Sequence, residues 1–305
     1  MHTMFTFAHL SDPHLAIQSA PGLRSLLNKR LLGYLSWRTK RRAIHEMQVL
    51  AALTRAIKQV QTDHIAITGD LTNIALPAEF LEARRWLEEI GPPESVSLVP
   101  GNHDAYVGVP WSASLGLWAE YMRGDTGSMG SPADFPAIRI RGPVAFVGVS
   151  SAHPSAPHLA VGSIGEAQLA EMERRLAELG REKLFRIVLL HHPPVPGTVK
   201  RRASLLDGDG FAAAVARSGA ELILHGHTHR MSHHELPTPR GPVPVIGVAS
   251  ASARAQHAHR EPAQFHIYSL TRNSGCWKLD LEIQALQATM LSFAVLRKLS
   301  IPIPA

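Results

Sequence analysis

Hydrophobicity in this chain comes in short bursts. Nine apolar runs, at 3–10, 64–69, 95–101, 144–150, 185–190, 220–226, 243–250, 264–270 and 276–283, mostly stop at polar or glycine-containing residues. Runs of this length, rich in Val, Ile, Leu and Phe and bounded by breakers, read as buried strands. Stretches with apolar residues at three-to-four spacing lie between several of them, at 45–60, 77–90, 165–179 and, shorter, 210–219, and read as helices. Strands alternating with helices imply parallel crossovers. The strand-rich stretch 243–283 implies a second sheet. The fold class expected is α/β, with two packed sheets flanked by helices.

The residues that stop the strands carry the chemistry. In open α/β sheets, ligands bind at the carboxyl ends of the strands. Those ends hold Asp12, His14, Asp70, Asn102, His103, His191, His227 and His229. In "SDPHL", Asp12 and His14 straddle Pro13 and can bring an oxygen and a nitrogen to one ion; alone, the pair equally suits a turn-capping Asp beside a surface His. Asp70, ending "ITGDL", would alone read as a helix N-cap. "HGHTH" is more specific, because His227 and His229 form an extended i, i+2 pair and Gly226 permits close backbone approach. In "LLHHPPV", His191 is expected inward and His192 outward. "LVPGNHDAY" turns at Pro-Gly and then sets Asn102, His103 and Asp104 in a row, more polar chemistry than a turn requires. Carboxylate, imidazole and amide donors suit Mn, Zn or Fe, whereas soft sites need thiolates. The donors exceed what one ion takes. Two ions about 3.5–4 Å apart clamp in-line displacement at phosphorus, and Asp70 has two oxygens with which to bridge them.

The ordered blocks "DPH" (12–14), "GD" (69–70), "GNHD" (101–104), "HHPP" (191–194) and "GHTH" (226–229) resemble the calcineurin-like metallophosphoesterase family, of the bacterial binuclear-metal phosphodiesterase type. The resemblance implies a four-layered α/β/β/α sandwich of two mixed sheets. It implies that Asp12, His14, Asp70 and His229 hold one divalent ion and Asp70, Asn102, His191 and His227 a second, the pair drawn from Mn, Fe or Zn. It makes His103 the catalytic histidine, stabilising phosphoryl oxygens or protonating the leaving oxygen. Asp104 becomes the acid that orients His103, and a hydroxide between the ions the nucleophile. The reaction implied is hydrolysis of a phosphodiester or pyrophosphate bond.

The substrate is read from what surrounds the motifs. Lys plus Arg number 31 and Asp plus Glu 25, a net charge of +6 that favours anionic partners. Residues 22–42 hold seven Arg or Lys, and no acid occurs from 13 to 45. Leu23, Leu26, Leu27, Leu31, Tyr34 and Leu35 fall on one helical face there. Such a segment either lies on an anionic membrane surface or packs on the core with a solvated basic face. As an insert at 22–44 beside the metal rim, it is expected to govern substrate access rather than chemistry. Lys200, Arg201 and Arg202 are candidates to hold further phosphates. One domain is expected over 1–285, with 286–305 an apolar tail. The substrate expected is a phosphorylated small molecule, either a nucleotide or lipid-linked. A nuclease is permitted by charge but lacks an aromatic ladder for stacking bases; a cyclic-nucleotide phosphodiesterase without membrane association is the other alternative. A non-catalytic scaffold would have lost ligands or His103, and none is missing. The N-terminus lacks the basic and apolar regions of a signal peptide. The single cysteine, Cys276, excludes an internal disulfide, fits a reducing cytosol and is expected as a small buried hydrophobe. The location expected is cytoplasmic, with peripheral attachment to the inner membrane face if the insert binds lipid.

Overall fold

A computed structural model describes residues 4–18, 20–254, 261–273, 276–287 and 289–303. The chain enters as β1 (Phe5–Leu10), passes through α1 (Arg30–Thr39) and α2 (Met47–Val60) to β2 (His64–Ile67), and through α3 (Pro77–Ile90) to β3 (Val96–Leu98). Both crossovers are parallel, pairing Phe7 with His64 and Ile65 with Val96. After a short α4 (Ala119–Met122), the hairpin β4 (Ala137–Arg141) and β5 (Val144–Gly148) opens a second sheet. It continues through α5 (Glu166–Arg181) to β6 (Phe185–Leu189) and through α6 (Gly208–Ser218) to β7 (Leu222–His225), then to β8 (Ser232–Leu236) and β9 (Val243–Gly247). The chain then returns to the first sheet as β10 (Gln264–Asn273), β11 (Cys276–Gln287) and β12 (Ser292–Ile301). The sheet orders are β12-β11-β10-β1-β2-β3 and β4-β5-β6-β7-β9-β8. Both sheets are mixed.

Period-two alternation sorts the core into layers. In β6, Phe185, Ile187 and Leu189 face the space between the sheets, while Val188 joins Met172, Leu176, Phe211 and Val215 beneath α5 and α6. Phe7 of β1 meets Phe146 of β5 edge-on at 5.5 Å across the two sheets and stacks at 4.6 Å on Tyr268, its partner on β10 in the same sheet. Side chains of this kind each contribute about 1.5–3 kcal/mol when fully buried. α2 and α3 cover the outer face of the first sheet through Leu50, Leu53, Phe80 and Leu87. The result is an α/β/β/α sandwich.

Three expectations need revision. The stretch 243–283 is not the second sheet: β9 belongs there, but β10 and β11 pair antiparallel back onto β1. The boundary expected at 285 falls inside β11, and the segment expected as a tail supplies the edge strand β12, with Phe293 packed on Phe265 at 5.5 Å. The turn before β12 carries no Gly or Asn signal; Leu291 takes the positive φ of 47° there. Cys276, at the start of β11, is exposed.

The insert is anchored by its polar and aromatic face. The Arg30 guanidinium donates to the carbonyls of Ile74 (3.0 Å) and Ala75. Gly33 lies so close to Ile74 and Tyr106 that a β-carbon would sit 2.6 Å from the Ile74 side chain. Trp37 is buried, and Lys29 stands over the Tyr106 ring at 4.2 Å. With this face turned inward, Leu23 (84% exposed), Leu27 (82%), Leu31, Leu32 and Leu35 are left on the surface. The described residues include no helix long and apolar enough to cross a membrane.

Candidate metal centre

The parallel strands of both sheets end at one rim, and the loops that follow are tied across it. Asp12 N donates to Gly69 O at 2.9 Å, His191 Nδ1 to Thr68 O at 2.6 Å, and His227 N to Asp12 Oδ2 at 2.9 Å. The turns are tight. Asp12, His14, Asp70, His227 and His229 all have positive φ, between 41° and 69°, a region that few non-glycine residues occupy and in which Asp and His are enriched. Gly226 cannot be replaced cheaply, because a β-carbon there would lie 1.9 Å from Ser11 Oγ and 2.6 Å from Asp12 Oδ2.

These turns converge seven side chains. His229 Nε2 stands 3.1 Å from His14 Nε2 and 3.2 Å from Asp12 Oδ1. His14 Nε2 is 3.8 Å from both Asp12 Oδ1 and Asp70 Oδ2. On the other side of Asp70, His191 Nε2 lies 3.3 Å from Asp70 Oδ2, 3.2 Å from Asn102 Oδ1 and 3.2 Å from His227 Nδ1. Asp70 Oδ2 therefore belongs to both halves. The outward nitrogens are engaged: His14 Nδ1 with Thr72 O (3.1 Å), His191 Nδ1 with Thr68 O, and His227 Nε2 with Ala203 O (3.1 Å). Each of these rings thus turns its lone pair into the cluster, the arrangement of ligating histidines.

Lone pairs of like sign crowded to 3.1–3.2 Å fit a site that takes cations. Ligand atoms of Asp12, His14 and Asp70, and separately of Asp70, His191 and His227, lie within 4.8 Å of one another. Asp12 Oδ1 is buried and, among the described residues, lacks a well-formed hydrogen bond. Without ions, protons bear the load. Burial would lower the His191 pKa, but the charge of Asp70 reverses this and raises it to about 9. Burial would raise Asp70, but His191 and His103 together hold it well below the carboxylate range. His227 falls to about 3 through burial and the neighbouring His191.

His103 and Asp104 adjoin the cluster differently than expected. Asp104 does not orient His103. Its Oδ2 accepts from Asp70 N and Gly101 N and its Oδ1 from Thr72 N, each at 2.9 Å, so the carboxylate straps the Asp70 loop to the Asn102 loop. Burial and then the Asp70 charge push its pKa up to about 7. The His103 ring is instead held by the Asn73 carbonyl at Nδ1 (2.5 Å) and stacks on Tyr106 at 5.6 Å. Arg41 Nη1, from the insert, sits 2.9 Å from His103 Nε2. Burial, reinforced by Arg41, lowers His103 to about 4, so it is neutral at pH 7.

Above the cluster opens a cavity of about 580 Å³ lined by Asp70, Asn102, His103, His227 and His229, and by the cations Lys40, Arg41 and Arg230. Lys200, Arg201 and Arg202 do not line it; all three are exposed, and Arg201 borders a separate cavity of about 370 Å³ beside Pro193–Val195. Their segment reaches the rim through Ala203 alone. Arg230 directly follows "GHTH" and could have been suspected from that position. His45, buried beside His14, had no motif to mark it. His192 turns from the cluster to Ser151 Oγ at 2.7 Å.

Comparison with known proteins agrees with this geometry. The chain is 28% identical to a probable cyclic nucleotide phosphodiesterase of a Synechococcus strain over 228 residues, 74% of this chain and 73% of the relative. Its fold matches a dimetal phosphatase from Danio rerio (TM-score 0.60, 13% identity, 97% and 98% of the two chains). It also matches a purple acid phosphatase from yellow lupin seeds (TM-score 0.61, 13% identity, 99% of this chain and 54% of that one). The family model for calcineurin-like phosphoesterase runs through residues 5–231, so the chain belongs to that family of metal-dependent phosphoester hydrolases.

Proposed function

We propose that this chain is a binuclear enzyme that hydrolyses a phosphodiester or pyrophosphate bond, its substrate a lipid-linked or nucleotide phosphate. Asp12, His14, Asp70 and His229 would hold the first ion, and Asp70, Asn102, His191 and His227 the second, with Mn, Fe or Zn as candidates. When bound, the ions supply Lewis acidity and water activated near neutral pH. The chain's own part is positioning and charge. His103, neutral and fixed through Asn73, presents Nε2 to Arg41. Arg41 in turn stands where the developing charge on phosphoryl oxygens would be met.

The observation that carries the reading is the roof of the cavity. Lys40, Arg41 and Arg230 line its wall above the metal cluster, more positive charge than one phosphate monoester demands and suited to a substrate with a second anionic group. The lipid-linked form of the reading is supported by the outward leucines. Leu31 and Leu35 lie four residues apart on the face of α1 opposite the buried Gly33 and Trp37, and Leu27 is exposed in the turn just before it, with Arg24, Arg38 and Arg42 of the same segment also exposed. An apolar ridge rimmed by cations matches an anionic lipid surface. The relative named as a probable cyclic nucleotide phosphodiesterase supports the nucleotide form.

One panel tests these forms. Chelated protein is restored with Mn and offered bis-p-nitrophenyl phosphate, p-nitrophenyl phosphate, cyclic AMP and a nucleoside-diphosphate lipid in anionic vesicles. Diester or pyrophosphate turnover that depends on added metal is expected. A preference for the monoester, or activity indifferent to chelation, would overturn the proposal. Leu27→Ser with Leu31→Ser should abolish vesicle binding and leave the small soluble diester unaffected. A parent protein that ignores the vesicles leaves the nucleotide form.

A further inference from the structure

We infer that His45 is a further ligand of the first ion, supplied by the end of the insert and lying outside the family motifs. The inference rests on the two-ion reading above. His45 is buried, its ring centred 4.6 Å from that of His14 and 5.4 Å from that of His229. One nitrogen from each of these three histidines falls within 4.8 Å of the other two. Nitrogens bonded to one ion at about 2.1 Å lie about 3–4.2 Å apart, and the His14–His229 pair already stands in that range at 3.1 Å.

The surroundings of His45 repeat those of the other candidate ligands. His14 and His191 hold Nδ1 against the carbonyls of Thr72 and Thr68, leaving Nε2 for the cluster. His45 likewise holds its Nδ1 on a fixed oxygen, Ser252 Oγ at 2.8 Å, so its ring too is set by a hydrogen bond to the loop behind it. The neighbouring hydroxyl, Ser250 Oγ, donates to the backbone oxygen of Asp12 at 2.7 Å, so the loop that fixes His45 also fixes a ligand of the first ion. The His45 backbone is pinned independently of its ring. It bridges to Ala253, Glu46 N donates to Ser252 O at 3.0 Å, and Arg254 N to Ile44 O at 2.9 Å. A ring placed by this much structure, at the wall of the cavity, is built to hold one direction.

The consequence is a coupling between metal and lid. Arg41 and His45 sit four residues apart at the end of the insert, the first against His103 and the second against the first ion's cluster. Filling the first site would tie down the segment that carries the phosphate-binding cations.

Metal-stripped wild type, His45→Gln and Ser252→Ala are titrated with cobalt(II), followed by calorimetry and by visible absorption. The wild type should bind two ions. His45→Gln should bind one of them at least tenfold more weakly, as loss of a donor or its support commonly does, with altered band intensity as the coordination number falls. The other ion should be unaffected. Ser252→Ala should shift the same ion in the same direction by less, and it serves if the glutamine variant does not fold. Hydrogen exchange over residues 22–44 should slow on metal addition in the wild type and lose that response in His45→Gln. A folded His45→Gln protein that binds two ions with wild-type affinity and spectrum would overturn the inference, and a rise in KM alone would make His45 a substrate contact instead. A wild type that binds one ion or none would remove the two-ion reading itself.

Discussion

Asp104→Asn separates two roles for one buried carboxylate. A carboxylate that orients the His103 ring would be catalytic in its effect, whereas one that straps two loops would be structural first. Three backbone N–H groups end on Asp104, two on Oδ2 and one on Oδ1. Asparagine keeps one oxygen, which can serve the Asp70 and Gly101 pair, and turns an amide NH2 onto Thr72 N. A charge-assisted bond is lost and two donors are forced together in a site 2% exposed. With hydrogen bonds to charged groups at about 1.5–3 kcal/mol and an unmet buried donor at about 1–3 kcal/mol, the cost is about 2.5–6 kcal/mol. Urea denaturation of the metal-stripped protein, run well above the Asp104 pKa of about 7 so that the carboxylate is charged, should show a lower midpoint at unchanged slope. Both ions should bind more weakly, because Asp70 and Asn102 ride on the loops that come loose. A variant with wild-type stability and metal content, but a depressed kcat and a displaced pH profile, would refute the strap and restore a direct link from Asp104 to His103.

Asp70→Asn should drive activity to background and leave fewer than two ions bound, since Asp70 Oδ2 serves both halves of the cluster; full turnover at saturating Mn, measured alongside metal content, would contradict this. His103→Ala should lower kcat by about 10²–10⁴-fold while elemental analysis still finds two ions. An equal fall on substrates with good and poor leaving groups would assign His103 to charge placement through Arg41, and a smaller fall on good leaving groups to proton transfer. Metal affinity should rise with pH. His191 carries a proton up to about pH 9 in the ion-free protein, and an ion must displace it, so affinity climbs toward pH 9 and levels above. The same raised pKa stabilises the ion-free fold below about pH 6.5 and loses that contribution as pH passes 9. Calorimetric titration across pH 6–10 reads the first effect, and a flat profile would contradict it.

The candidate metal cluster was legible because strand ends are legible. Each candidate ligand follows an apolar run by one to four residues, and a sheet whose parallel strands finish at one rim must bring those residues together. Local pattern could not show what returns from elsewhere. Asp104 sits in a motif, yet its partners are the backbone donors of Asp70, Gly101 and Thr72, two of them over thirty residues away. β10–β12 carry the same alternation as any antiparallel strands, and nothing in it names β1 as their neighbour. β8, "SHHEL", is an edge strand whose polar outer positions interrupt the apolar run that would have marked it.

The insert shows most clearly where sequence reading divided what the fold joins. Its basic and apolar residues suggested a segment that governs access and leaves chemistry to the motifs. Leu23 and Leu27 fit that division, since they point to solvent. Arg41 does not, because it contacts His103, and neither does His45, whose nitrogen joins those of His14 and His229. The turn at Arg41–Ala43 carries one surface to the other within a few residues. The inner face is fixed by Arg30 on the Ile74 carbonyl and by Gly33 against Tyr106, and Tyr106 stacks on His103. A push on the leucine ridge therefore bears on the histidine through two packed contacts and no flexible linker. Substitutions at Gly33 should accordingly alter kcat as well as KM although no atom of Gly33 reaches the cavity, and a change confined to KM would return the insert to a simple gate.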